Sequence, residues 1–208
     1  MSAVTSPLPA EYPSSPEPIR LTGPNGAGGD YPASGFPPAV LPDTLITTYL
    51  EMTKRIAFRP EYVSGDHFNI QRMARNDLPF YRFLYSTVGE TWRWRDRTHM
   101  PDDELDAALK NTIIDILYVD GIPGGYIELM PQDTDTEISY FGLRPQFFGM
   151  GLGKHLLSYG IAQAWSYGAK RVWLHTCNLD GPYALENYLK RGFTVFKVTE
   201  EPMPLEYL

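Results

Sequence analysis

A mixed α/β sandwich, with helices on both faces of one sheet, is the fold class that the sequence predicts, and three observations lead to it. Segments with apolar residues at helical spacing interleave with β-branched and aromatic runs, in the order β α α β β β α β α β behind one additional strand. The chain has 208 residues, 43% hydrophobic and 21% charged, which suffices for one domain with a full core. Neither disulfide nor metal is expected to staple it. The single cysteine, Cys177, closes no intrachain bridge, and His67, His99, His155 and His175 lack the paired spacing of zinc ligands.

Residues 1–42 carry ten of the 19 prolines and the run Thr22-Gly23-Pro24-Asn25-Gly26-Ala27-Gly28-Gly29. Missing N–H donors and glycine entropy deny this stretch a helix or a ladder, so it reads as an extended arm. Two readings stay open. It is a disordered leader, or its spaced apolar anchors Tyr12, Leu21, Tyr31 and Phe36 lay it on its own body or on the second subunit of a homodimer. Residues 43–66 form an added strand region, in which Thr44 to Met52 is rich in β-branched and aromatic types.

The main pattern opens with the alternation Phe68 to Met73. Asn76 or Asp77 then caps a helix with Pro79 in its first turn and Phe80, Phe83, Leu84 and Val88 on one face. Pro101 with Asp102, Asp103 and Glu104 announces a second helix, since carboxylates suit the positive end of the macrodipole. Strands Thr112 to Val119 and Gly125 to Met130 flank Asp120-Gly121, a strong hairpin signal, and a third run spans Thr136 to Leu143. Leu152, Leu156, Ile161, Ala164 and Trp165 keep helical spacing up to Gly168, and Arg171 to Thr176 alternates as a strand. Pro182 opens the last helix and Gly192 stops it before the strand Phe193 to Val198.

A formal charge of −7 and a pI near 5.1 argue against binding to nucleic acid, which asks for a basic face. Met1 to Arg20 is broken by prolines and has no apolar core, so it is not a secretory signal; no long uninterrupted apolar run marks a membrane span. The expected location is the cytoplasm.

The most informative segment is Gly142-Leu143-Arg144-Pro145-Gln146-Phe147-Phe148-Gly149-Met150-Gly151-Leu152-Gly153-Lys154, a strand end that passes through a glycine-rich turn into a helix. Such a turn aims backbone N–H groups at one anion, and the helix N-terminus adds positive potential. A Walker loop is excluded because Phe148 and His155 stand where glycine and Ser/Thr are required. A dinucleotide fingerprint lacks its acid, because Lys170 and Arg171 occupy that region. In strand, proline, glycine loop and helix, the segment resembles the pyrophosphate loop of the GNAT superfamily of acetyl-CoA-dependent N-acetyltransferases. Two registers fit, Gln146-x-x-Gly149-x-Gly151 and Phe148-x-x-Gly151-x-Gly153; the second keeps Pro145 and Leu156-Leu157 in place and is preferred. The run Ala184-Leu185-Glu186-Asn187-Tyr188-Leu189-Lys190-Arg191-Gly192-Phe193 is similar to the family's tyrosine helix, while Asn178 stands in a longer connecting loop.

The resemblance implies that residues 67–208 form an N-acetyltransferase domain with a mostly antiparallel sheet and splayed middle strands. Acetyl-CoA would be the co-substrate, without metal, and a small-molecule or peptide amine the acceptor. Phe141, Gly142 and Leu143 would meet the pantetheine arm, with Leu143 N–H on the thioester oxygen. Phe148, Gly149, Met150, Gly151, Leu152, Gly153 and Lys154 would hold the diphosphate. Glu137 is either the general base or a solvated charge at a strand start, with Glu128 in reserve; Tyr188 is either the acid at the sulfur or a buried aromatic. Trp92 and Trp94, interleaved with Arg93, Arg95 and Arg97, and Tyr140 are the candidates for acceptor binding, with Tyr81 and Tyr85 as further possibilities. The plainer reading of that run sends its rings into the core and its arginines into water. A catalytically silent acyl-CoA sensor, or a dimeric scaffold of the same fold, is the alternative function.

Overall fold

A computed structural model describes residues 41–207. The arm's anchors Tyr12, Leu21, Tyr31 and Phe36 lie outside the described residues. Eleven regular elements follow in the expected order: β1 (Thr44–Met52), β2 (Phe68–Arg72), α1 (Leu78–Gly89), α2 (Asp102–Leu109), β3 (Ile113–Val119), β4 (Ile122–Gln132), β5 (Asp135–Leu143), α3 (Leu152–Ser166), β6 (Arg171–Cys177), α4 (Ala184–Lys190) and β7 (Thr194–Pro202).

Local chemistry sets several boundaries. The Asp77 carboxylate accepts from Phe80 N–H at 2.9 Å and caps α1, one turn ahead of the first buried ring. Asp120 and Gly121 both take positive φ, which is the backbone a two-residue hairpin between β3 and β4 requires. Gly192 ends α4 at φ 100° with its α-carbon facing the Ala57 carbonyl so closely that a methyl group would lie 2.0 Å from the oxygen. Several boundaries differ from expectation, with β4 and β7 running longer, over Ile122–Gln132 and Thr194–Pro202. Pro182 precedes the last helix rather than opening it, because α4 begins at Ala184.

The strands form one sheet in the order β2-β3-β4-β5-β6-β1-β7. All neighbours are antiparallel except β5 and β6. The added strand β1 is therefore built into the sheet, between β6 and β7. Side chains alternate between the two faces. One face carries Leu50, Leu117, Ile127, Leu129, Val172 and Leu174 against Leu156, Leu157 and Ile161 of α3 and Tyr188 of α4. The other carries Ile114, Ile116 and Tyr126 against Tyr81, Leu84 and Val88 of α1 and Leu105 and Leu109 of α2.

Candidate active site

The strands β5 and β6 pair only through Asp135, Thr136 and Glu137 against Arg171, Val172 and Trp173. Beyond Glu137 they part. What β5 offers to the gap follows from its ladder with β4. Arg144 N–H donates to the Gly124 carbonyl at 2.8 Å, so the flanking pair Leu143/Gly125 is one that does not exchange hydrogen bonds. The N–H and C=O of Leu143, and by alternation those of Phe141, then point away from β4 into the gap.

A bulge sets the side chains. Leu129 pairs with Ile138 but Glu128 with Tyr140, leaving Ser139 as the extra residue. Glu137 and Tyr140, three apart in sequence, thereby share the face of α1 and α2, while Phe141 and Leu143 look toward α3 and α4.

The glycine loop continues from this strand. A short 3-10 turn, Pro145–Phe147, leads to Gly149 at φ 78° and Gly151 at φ 73°, and α3 starts at Leu152. Among the described residues, the amides from Gly149 to Lys154 meet no acceptor. That is a row of donors at a helix N-terminus, suited to an anion. Of the glycines in the preferred register, Gly151 has the left-handed backbone, whereas Gly153 lies inside the first helical turn. Phe148 rests near Trp92, with ring centroids 6.4 Å apart. The Lys154 ammonium is engaged by Glu61, which also accepts from Arg191 Nη2 at 2.8 Å. Lys154 thus brings its amide to the loop, while its charge ties the β1–β2 connection to α3. Glu61 was invisible to motif reasoning because it belongs to the added region.

Glu137 is 8% exposed where the strands part. His175 of β6 places Nδ1 3.6 Å from its Oε1. Sequence reasoning missed this histidine; only its place in the alternation of Arg171 to Thr176 marked it as sharing the face of Trp173. Glu137 holds the imidazole pKa above its ordinary value against the opposing effect of burial, with Asp180 and Asp96 adding smaller attractions. A pKa raised on folding stabilises the fold below about pH 6.5, the ordinary histidine value, and that contribution is lost as pH rises through the folded value. An NMR titration of His175 is expected to show the raised pKa, and Glu137→Gln to return it toward the ordinary one. An unchanged pKa in that variant removes the pair.

Tyr188 is buried with its ring 6.2 Å from Phe141 and 6.4 Å from Phe193, centroid to centroid. It therefore stands beside the strand that lines the gap. Burial raises its phenol pKa above the usual range, with Asp180 adding to the effect. Asp180 itself accepts from Thr176 Oγ1 at 2.6 Å and Cys177 N–H at 3.0 Å, and Trp94 Nε1 approaches it at 3.5 Å. The Cys177 thiol is pushed up to about 11 by burial, which keeps it protonated. Asn178 is structural: its amide side chain accepts from Ile46 N–H and donates to the Thr44 carbonyl, extending the β1–β6 ladder.

The tryptophan run divides. Trp94 and Tyr140 lie together, 5.2 Å between centroids, and Tyr140 donates to Asp96 at 3.0 Å. Trp92 sits apart from them, near Phe148 and Gly181. Tyr81 and Tyr85 are core residues, 0% and 1% exposed. Arg97 turns inward, contrary to the expectation of arginines in water. Its Nη1 lies 2.9 Å from Glu128 Oε1 and donates to the Tyr81 hydroxyl, which donates to Glu128 Oε2 at 2.8 Å. Glu128, the reserve base, is fully buried and committed to this pair. Among the described residues, no three His, Cys, Asp or Glu side chains are grouped to hold a metal ion, and no helix is long and apolar enough to cross a membrane.

The sequence pattern described as the acetyltransferase (GNAT) family matches residues 80–193. No curated protein matches the chain. Among solved structures, a GCN5-related N-acetyltransferase from Sphaerobacter thermophilus is similar at a TM-score of 0.57 and 13% identity, over 77% of this chain and 52% of that one. A GCN5-related N-acetyltransferase from Kribbella flavida gives 0.53 and 18%, over 74% and 56%. The chain thus spans little more than half the length of these two. A GNAT family acetyltransferase from Elizabethkingia anophelis, with acetyl-CoA bound, gives 0.50 and 21%, over 64% and 80%. At such identities the likeness establishes the fold.

Proposed function

The chain belongs to the acetyltransferase (GNAT) family, and from that premise we propose that it moves an acetyl group from acetyl-CoA directly to an amine acceptor in a ternary complex. The observation that carries this reading is the gap between β5 and β6, lined by the outward N–H and C=O groups of Phe141 and Leu143 and continuous with the row of amides from Gly149 to Lys154. An extended pantetheine arm suits the strand edge, and a diphosphate suits the helix N-terminus.

Each of the three demands of acetyl transfer finds a group. An amine near pKa 10 is mostly protonated at neutral pH, and Glu137 is placed to take its proton, with His175 beside it to balance the carboxylate's charge. The amine nitrogen then bonds to the thioester carbon while Leu143 N–H supports the charge growing on the carbonyl oxygen. As the carbon–sulfur bond breaks, Tyr188 gives its proton to the thiolate and recovers one from water. Around the acceptor side stand Asp96, Asp180 and Glu137 with Trp94 and Tyr140. The Arg97 charge is already neutralised by Glu128, so these carboxylates favour a cationic amine over an acidic acceptor.

Calorimetry with coenzyme A, followed by thiol release from acetyl-CoA across a panel of small and peptide amines, tests the proposal. Association with acceptor-dependent release is expected. The absence of binding overturns the whole reading, and binding without turnover on any amine assigns a sensor.

A further inference from the structure

Because β3, β4, β5 and β6 stand between β1 and β2 in the sheet, residues 53–67 must cross the face that carries α3 and α4. They cross as a strap bonded to both helices. Glu61 N–H donates to Ser158 Oγ at 2.9 Å, Val63 N–H to His155 Nδ1 at 3.1 Å, and Arg59 N–H to the Arg191 carbonyl at 3.0 Å. These main-chain bonds fix the Glu61 carboxylate beside the start of α3. Two cations share it, Lys154 on Oε1 and Arg191 Nη2 on Oε2.

The two cations are not equivalent. Arg191 is 4% exposed and its Nε and Nη1 meet no acceptor among the described residues, so Glu61 is what neutralises this buried charge. Lys154 stands in the first turn of α3 on a flexible stem. A methyl group on Gly151 would lie 3.2 Å from Lys154 Cε and 3.2 Å from Val63 Cγ2, so lysine and strap both rest against the glycine loop. Rotation about the stem carries the ammonium from Glu61 toward the row of amides from Gly149 to Lys154. Lys154 also holds the Glu61 carboxyl below its ordinary pKa, which keeps the carboxylate ionised at neutral pH.

We propose that Lys154 exchanges Glu61 for the diphosphate of coenzyme A, which makes Glu61 an internal competitor that sets the affinity for this ligand. Arg191 keeps Glu61 after the exchange, so neither the buried cation nor the carboxylate loses its last partner. The strap precedes the matched stretch 80–193, so this control belongs to the added region of the chain. The inference rests on the reading of the glycine loop as the diphosphate site and deepens it.

Calorimetry with coenzyme A on the full chain tests it. Glu61→Gln retains the strap's main-chain bonds and an amide oxygen for Arg191, and is expected to lower the dissociation constant about tenfold. Lys154→Met is expected to raise it about tenfold. In that background Glu61→Gln should tighten binding no more than about twofold, because no ammonium is left to release. Dephospho-coenzyme A retains the diphosphate, so Glu61→Gln should tighten it by the same factor as coenzyme A. An unchanged constant in Glu61→Gln overturns the exchange, and equal tightening with and without Lys154 overturns it too, leaving Glu61 a simple repulsive charge. Tightening confined to coenzyme A assigns Lys154 to the 3′-phosphate and overturns the diphosphate partner. Should Glu61→Gln fail to fold by circular dichroism, Lys154→Met decides alone, and wild-type affinity in it overturns the proposal. A wild type that binds no coenzyme A removes the diphosphate site itself, whereas a binding wild type with an unresponsive Glu61→Gln removes only the exchange.

Discussion

Tyr188→Phe is expected to lower kcat by about 10²–10⁴-fold while leaving the fold and the KM for acetyl-CoA near wild type. Phenylalanine keeps the ring against Phe141 and Phe193, so only the hydroxyl is lost. Because burial holds the phenol pKa high, Tyr188 stays protonated at any ordinary assay pH and so carries a proton to offer when negative charge develops on the departing sulfur. The consequence is a dependence on the leaving group. Acetyl donors with more acidic thiols need less protonation, and with them the defect should shrink. Steady-state kinetics over a series of thioesters make the check. Wild-type turnover in Tyr188→Phe, or a defect that is the same for every donor, removes Tyr188 as the acid.

The second large effect concerns stability. Arg97→Met is expected to destabilise the fold by about 3–5 kcal/mol at pH 7, because it leaves Glu128 fully buried and without its cation. Burial already pushes the Glu128 carboxyl upward against the pull of Arg97, so without the guanidinium its pKa rises further. The pH dependence then has a definite sign. A carboxyl whose folded pKa exceeds its unfolded value favours the fold below the unfolded value, near pH 4, and that advantage disappears as pH rises. The deficit of Arg97→Met is therefore greatest at neutral pH and smallest near pH 4. Urea unfolding at several pH values measures it. Adding Glu128→Leu should recover most of the loss, since a buried pair replaced by apolar groups is often neutral. A deficit that is the same at every pH would assign the effect to lost packing alone.

Much of this was legible in the sequence wherever the signal was local. Asp77, Asp120-Gly121 and the glycine loop act within a few residues of themselves, and each appears where its chemistry placed it. The splay implied by the family resemblance is present too. What escaped depends on partners far away in the chain. The run Glu137-Ile138-Ser139-Tyr140 alternates smoothly on paper, and only pairing with β4 reveals that Ser139 is extra, which brings Glu137 and Tyr140 to one face. Arg97 looked like a surface residue because Glu128 is 31 positions away. Asn178 had no legible partner in its longer loop, because β1, itself outside the family likeness, takes both ends of its side-chain amide.

The position of β1 bears on how the molecule is made. It is synthesised before the rest of the sheet, yet Met52 pairs with Val172 and Thr44 with Pro202, so both of its neighbours lie more than a hundred residues further along the chain. Pairings of such high contact order fold slowly and leave apolar strands open to wrong partners during translation. Completion of the β6–β1–β7 half of the sheet must therefore wait until β7 has been synthesised.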